Sequence, residues 1–200
     1  MLFTVLKLIF ALVLGYVIGS IPTGYIAVKL LKKEDVRNLG SGSTGATNVK
    51  RILGTKWFFI VMLIDALKGY LCVMLAMHLG TIRVPGLAEV LGATGAVIGH
   101  SKSVFLNFTG GKSVATGVGT LIGICPVAGF IVTGIWALLT VVTRTVSIAS
   151  IVALVISPFF IERFGQFEYY FYYASFLAAF IVFTHRENIK RLIDGKENKI

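Results

Sequence analysis

Four short stretches of this chain combine hydroxyl and basic residues, two of them with glycine, in ways that suit one task, the holding of a phosphate-type anion. The longest is Gly40 to Arg51, reading Gly-Ser-Gly-Ser-Thr-Gly-Ala-Thr-Asn-Val-Lys-Arg. Gly40, Gly42 and Gly45 permit positive φ angles, so neighbouring backbone N–H groups can turn toward one point. Ser41, Ser43, Thr44, Thr47 and Asn48 add neutral donors, and Lys50 and Arg51 add charge. The second stretch, Gly110-Gly111-Lys112-Ser113, stands where an apolar helix should begin. Unpaired N–H groups and the positive end of a helix, beside a lysine, form an anion site. In the third, Thr184 to Arg191, a continuing helix presents His185 and Asn188 on one face. The fourth is the short connection Arg144-Thr145-Val146-Ser147. Each also has a plainer reading: a flexible linker, a capped polar turn, a basic flank that sets topology, a simple turn.

Other chemistry is absent. There is no Gly-x-Ser-x-Gly elbow, and no aspartate follows His78, His100 or His185 at the fifth position. No Cys/His spacing matches a zinc site, and no carboxylate cluster on the basic loops could hold a divalent metal. Reaction at these stretches must therefore rest on placing anions and stabilising charge, with no metal and no cofactor.

The elements that must position these residues are apolar. The 200 residues are 56% hydrophobic and 14% charged, with mean hydropathy +0.86. A soluble domain is nearer 45–50% apolar and about 25% charged. This composition predicts an all-α integral membrane protein. The expected spans are about Leu2–Val28, Trp57–Leu79, Leu87–Phe105, two within Val114–Val142, Val146–Ile161 and Tyr169–Phe183. The first reads as a retained span and carries Gly15 and Gly19, a GxxxG face for close helix contact. Cys72 and Cys125 read as small buried apolar residues. Thr47 is expected to cap a short helix that Gly54 ends. Phe167–Tyr173 is expected to form an aromatic anchor at the outer interface. Asp65 and Lys68, three apart on one helix face, are costly in a bilayer unless paired. His100 lies near the end of its span.

Val114–Val142 is 29 uncharged residues with Pro126 near its centre. A break there gives seven spans and puts 15 of the 19 basic residues on one side, in loops 29–56 and 101–113, Arg144 and the tail 184–200. The other side is neutral overall. Positive-inside asymmetry then sets the N-terminus outside and the C-terminus in the cytoplasm. All four polar stretches share the cytoplasmic face of one membrane domain spanning residues 1–200.

Taken together, three blocks resemble a known family, the bacterial acyl-phosphate-dependent glycerol-3-phosphate acyltransferases of the PlsY type. They are Gly40–Asn48; Gly99-His100 leading to Gly110-Gly111-Lys112 and Val114-Ala115-Thr116; and His185-Arg-Glu-Asn188-Ile-x-Arg191. Asp65-x-x-Lys68-Gly69 also looks familial. Ser113 departs from the pattern, which usually has glycine there. The resemblance implies seven spans with an outside N-terminus, which the charge count reached independently. It implies transfer of a fatty acyl group from acyl phosphate to the 1-hydroxyl of sn-glycerol 3-phosphate, giving lysophosphatidic acid and phosphate. Ser41, Arg51, Lys112, Ser147, His185 and Asn188 carry over as catalytic residues. Gly40, Gly42, Thr47, Asn48, Gly110, Gly111, Ser113, His100 and Lys68 carry over as substrate-binding. The implied location is the bacterial inner membrane with a cytoplasmic active site. The implied partners are the two substrates, membrane lipids and an acyl-phosphate synthase, with no nucleic acid. Two other classes compete: an anion transporter, whose site should lie near the bilayer midplane, and a scaffold binding anionic lipid through its basic face.

Overall fold

The computed structural model describes residues 1–80 and 82–199, and among these it is helical, with a single isolated β-bridge between Ser103 and Thr109. The helices are α1 (Leu2–Gly19), α2 (Thr23–Lys32), α3 (Ala46–Leu53), α4 (Thr55–Met77), α5 (Leu87–Ser101), α6 (Val114–Ile124), α7 (Pro126–Thr143), α8 (Val146–Val155), α9 (Ser157–Phe164), α10 (Glu168–Thr184) and α11 (Arg186–Ile193). Four helical runs among the described residues are long and apolar enough to cross a bilayer: 2–32, 55–77, 126–143 and 146–164.

The first of these is not the unbroken helix expected. It is interrupted at Ser20-Ile21-Pro22, because proline has no N–H to continue the ladder. A break in an apolar helix frees carbonyls that lipid cannot satisfy. Here Ser103 Oγ donates to Ser20 O at 2.6 Å and Lys68 Nζ donates to Ile21 O at 2.8 Å. The same Lys68 amine lies 2.8 Å from Asp65 Oδ1, so the predicted ion pair forms and also closes the gap in the neighbouring helix. The run 146–164 is likewise divided at Ile156, with Pro158 in the first turn of α9.

Pro126 does start a new helix: α6 ends at Ile124 and α7 begins at the proline, which occupies the first helical position. Between Lys29 and Lys56 the expected polar loop contains α3. Gly54 ends α3 as predicted, but the residue before its first turn is Gly45, so Thr47 lies inside the helix and does not cap it.

In lipid, helices gain little by hiding apolar surface from one another, so close backbone approach and interhelical hydrogen bonds decide which pairs form. The Gly15/Gly19 face packs on α5. A β-carbon on Gly19 would fall 2.2 Å from Ala96 O, so only glycine allows this separation. The main core lies among α4–α10 and includes Val97, Leu121, Leu154, Tyr173, Leu177 and Ile181. A second cluster of Val28, Val36, Val49 and Val61 fastens α2 and α3 to α4. Tyr170 and Tyr173 are buried in the main core, and the Tyr173 hydroxyl meets Thr120 Oγ1. Two of the six aromatic residues of the expected anchor are thus core, because they lie three apart and share the inward face of the helix. Cys72 and Cys125 are both buried and free.

Candidate active site

A cavity of about 310 Å³ opens where the four polar stretches meet. Its polar end is lined by Ser41, Arg51, Lys112, Ser147, His185 and Asn188, drawn from four separate segments of chain. The rest of its lining is largely apolar, with Phe58, Met62 and Leu63 from α4, Val118 and Ile122 from α6, and Trp136 from α7. A second cavity of about 380 Å³ adjoins it and shares Ser41, Ser43 and Lys112 with it; Gly42, Gly110, Gly111 and Arg186 line its other side.

The first turns of four helices face the main cavity: Ala46 and Thr47 of α3, Val114 and Ala115 of α6, Val146 and Ser147 of α8, and Asn188 of α11. Each brings unpaired N–H groups and a partial positive charge. Three cations, Arg51, Lys112 and Arg191, add to that field. Arg51 is exposed and forms no ion pair among the described residues, which leaves its guanidinium available.

The Gly40–Ser43 loop is held by Asn48, which is buried in α3. Its Oδ1 accepts from Ser41 N–H at 2.8 Å, and its Nδ2 donates to Leu39 O and Ser43 O, each at 2.9 Å. Gly40, at φ +58°, lies directly against that amide. Asn48 and Gly40 therefore shape the loop, and the amide protons of Asn48 are already committed to it. Thr47 lines the cavity beside them.

The Gly110–Lys112 loop is held by α5. Gly111 N–H donates to His100 O at 3.1 Å, and Ser101 Oγ donates to Gly111 O at 2.8 Å. A β-carbon on Gly111 would fall 2.1 Å from His100 Nε2. The glycine lets the strand of loop lie flat on the imidazole, and this fixes where Lys112 emerges. His100 is buried, with Nδ1 3.6 Å from Asp65 Oδ1. Lys68 lies behind Asp65 and does not line the cavity; the break in α1–α2 and the buried carboxylate occupy it. Ser113 takes the left-handed conformation, φ +64°, which explains why glycine would suit the position. Its hydroxyl donates to Val97 O at 2.7 Å, so it ties loop to α5 and does not cap α6.

Lys112 Nζ donates to Asn188 Oδ1. Burial, with Arg191 and Arg51 nearby and Glu197 opposing them, brings the Lys112 ammonium down to about 8. His185 Nδ1 lies 2.8 Å from Ile181 O. A carbonyl only accepts, so the ring proton sits on Nδ1 and Nε2 is left as the acceptor. Burial and then Lys112 push this histidine down to about 4, so it is neutral at physiological pH.

Two members of the site were not among the site residues expected from the sequence, although Arg191 ends the third of the blocks that carry the resemblance. Arg191 lines the cavity, and Glu197 reaches into it. Glu197 Oε1 accepts from Ser147 Oγ at 2.9 Å and from Asn188 Nδ2 at 2.5 Å; Oε2 accepts from Arg191 Nε at 2.7 Å. These bonds hold its carboxyl below the ordinary value, against the opposing effect of burial. The one sequence signal was Gly195, a helix stop two residues before a carboxylate.

A family model described as glycerol-3-phosphate acyltransferase matches residues 9–195. Among similar proteins, glycerol-3-phosphate acyltransferase 2 of Moorella thermoacetica is 42% identical over 190 residues, covering 95% of this chain and 96% of its own. The glycerol-3-phosphate acyltransferase of Desulforudis audaxviator is 41% identical over 194 residues, covering 97% and 96%. Among solved structures, PlsY (YgiH), an integral membrane glycerol 3-phosphate acyltransferase, superposes in its glycerol 3-phosphate form with TM-score 0.89 at 34% identity, covering 96% of this chain and 95% of that one. Its lysophosphatidic acid form gives 0.87 at 33% identity with the same coverage.

Proposed function

The chain belongs to the glycerol-3-phosphate acyltransferase family, and on that footing we propose that its cavity moves a fatty acyl group from an acyl phosphate to the 1-hydroxyl of sn-glycerol 3-phosphate, releasing lysophosphatidic acid and phosphate. It is an integral membrane acyltransferase. The observation that carries the mechanism is the meeting of Ser41, Arg51, Lys112, Ser147, His185 and Asn188 around one cavity whose remaining lining is largely apolar.

The acyl chain lies along the apolar wall, and its phosphate sits among Arg51, Lys112 and the helix amino ends. Glycerol 3-phosphate is held beside it by Ser147, His185, Asn188 and Arg191. Held in this way, the two reactants gain the advantage of proximity. The hydroxyl oxygen attacks the acyl carbon, the carbon–oxygen bond to phosphate breaks, and phosphate departs with that oxygen. Lys112 and Ser41 stabilise the charge that develops on the acyl oxygen and the leaving phosphate. Asn48, Gly40, His100 and Ser113 act one step back, by setting the loops.

The hydroxyl proton goes to a substrate phosphate oxygen. Burial and then Lys112 push His185 down to about 4, which makes its ring a weak proton acceptor, whereas a substrate phosphate brings its own strong acceptor oxygens to the hydroxyl. His185 Nε2 serves as an acceptor for a substrate hydroxyl.

For the membrane, we place seven crossings at α1–α2, α4, α5, α6, α7, α8–α9 and α10, with the N-terminus outside and the cavity on the cytoplasmic side of a bacterial inner membrane. The support is the asymmetry of basic residues between the two sets of loops. With 11 residues, α6 is about 16 Å long, roughly half the hydrocarbon thickness of about 30 Å. The Gly110–Lys112 loop is then recessed below the membrane surface, which irregular backbone tolerates where it lines a polar cavity. An acyl-phosphate synthase is the expected supplier of the donor.

The test is purified protein given acyl phosphate and labelled glycerol 3-phosphate, scored for lysophosphatidic acid, with acyl-CoA as the comparison donor. Phosphate-dependent uptake into liposomes without acyl transfer would overturn the assignment in favour of transport.

A further inference from the structure

One anionic group already sits among the cations of the cavity, and it belongs to the chain itself. The last turn of α11 closes with Gly195 in the left-handed conformation, φ +67°. Gly195 N–H donates to Leu192 O at 3.2 Å and Lys196 N–H to Arg191 O at 2.7 Å. This paired pattern ends a helix and turns the chain back along it. The turn aims the next side chain, Glu197, at the amino end of the same helix. Its carboxylate is only 7% exposed, and its two oxygens take three donors from Ser147, Asn188 and Arg191. A phosphate oxygen asks for the same donors: a guanidinium, an amide N–H and a hydroxyl.

We propose that Glu197 is a built-in competitor for the substrate phosphate. It fills the seat made by Ser147, Asn188 and Arg191 and must swing out before glycerol 3-phosphate or inorganic phosphate can settle there. The inference rests on the reading above that this cavity binds phosphate. A carboxylate and a phosphate cannot share these donors, since like charges a few ångströms apart in a poorly solvated site repel strongly. Lys196, Asn198 and Lys199 on either side are exposed, and the segment past Gly195 is not helical, so release needs no unfolding of α11. With the tail docked for part of the time, the apparent phosphate affinity is the intrinsic one reduced by the undocked fraction. The tail then sets the glycerol 3-phosphate concentration at which the enzyme responds.

The test is calorimetric titration of the full chain in detergent with inorganic phosphate and, separately, with glycerol 3-phosphate, using wild type, E197Q, E197A and E197D. Loss of the charge in E197Q and E197A should tighten binding by about fivefold or more, the lower end of ordinary coupling between competing sites. E197D, which keeps the charge, should stay near wild type. The KM for glycerol 3-phosphate at saturating acyl phosphate should fall in E197Q by a like factor. Tightening for only one of the two ligands assigns the seat to that ligand. Equal or weaker binding of both by E197Q and E197A overturns the proposal and makes Glu197 a structural clip. Wild type that makes lysophosphatidic acid with no tightening in E197Q refutes the competitor alone. Tightening without acyl transfer upholds the competitor and refutes the reaction.

Discussion

Lys112 offers a pH signature that can be worked out in advance. Burial and the neighbouring arginines bring its ammonium to about 8, and the charged form is the one that binds phosphate. Charge is therefore present below that value and lost as pH rises through it. At one unit above, about one molecule in eleven still carries the proton, so kcat/KM should fall close to tenfold per pH unit beyond about 8. On the acid side the substrate phosphates protonate near about 6, so the profile should be a bell between those limits. Bound phosphate raises the lysine again, so the alkaline limb of kcat should lie above that of kcat/KM. Removing the group in K112A takes away a donor to developing charge, which costs about 10²–10³ in kcat. K112R carries a cation that does not titrate below about 12, and its alkaline limb should vanish even where its overall rate is lower. The assay is initial rates of lysophosphatidic acid formation from pH 5.5 to 9.5 for the three proteins. An alkaline limb near 8 that survives in K112R would refute the reasoning, since another group would then own it.

Three further outcomes follow from the same geometry. H185Q should keep its rate within about tenfold at saturating substrates and raise KM for glycerol 3-phosphate; a loss of the 10²–10⁴ typical of a missing general base would restore histidine to that role. G111A should lose most activity, because the added carbon meets His100 Nε2 at 2.1 Å and must displace the loop that carries Lys112; normal kinetics would show that the loop position does not matter. D65N should lower the melting temperature in detergent, because it removes the carboxylate partner of the buried Lys68 amine, a change that costs about 3–5 kcal/mol in buried pairs. Adding K68M to D65N should recover part of that loss, and a double variant no more stable than D65N would show that the amine matters for Ile21 O alone.

Much of the candidate site was legible because the chemistry proposed for it needs particular residue types. Glycine beside serine and lysine suggested an anion loop at Gly40–Arg51 and Gly110–Ser113, and residues of both stretches line the cavity. The break at Pro126 and the stop at Gly54 were legible for a similar reason, since proline and glycine act locally. What the sequence did not reveal was which groups had already been claimed. Asn48 looked like a free donor until the loop closed on it. Lys68 looked like a ligand, but the chain break at Ser20–Pro22, distant in sequence, had prior use for its amine. The cap was placed two residues too late, at Thr47, because Gly45 could serve before it. Glu197 escaped notice since a single acid in a basic tail has no pattern of its own. Its position depends on a turn geometry that only becomes visible with Gly195 in three dimensions.

The four helix starts around the cavity have a consequence for anyone who tries to dissect it. Their attraction comes from peptide groups, which no side-chain replacement deletes and no change of pH neutralises. Stripping away Arg51, Lys112 and Arg191 together should thus leave a measurable remnant of phosphate retention.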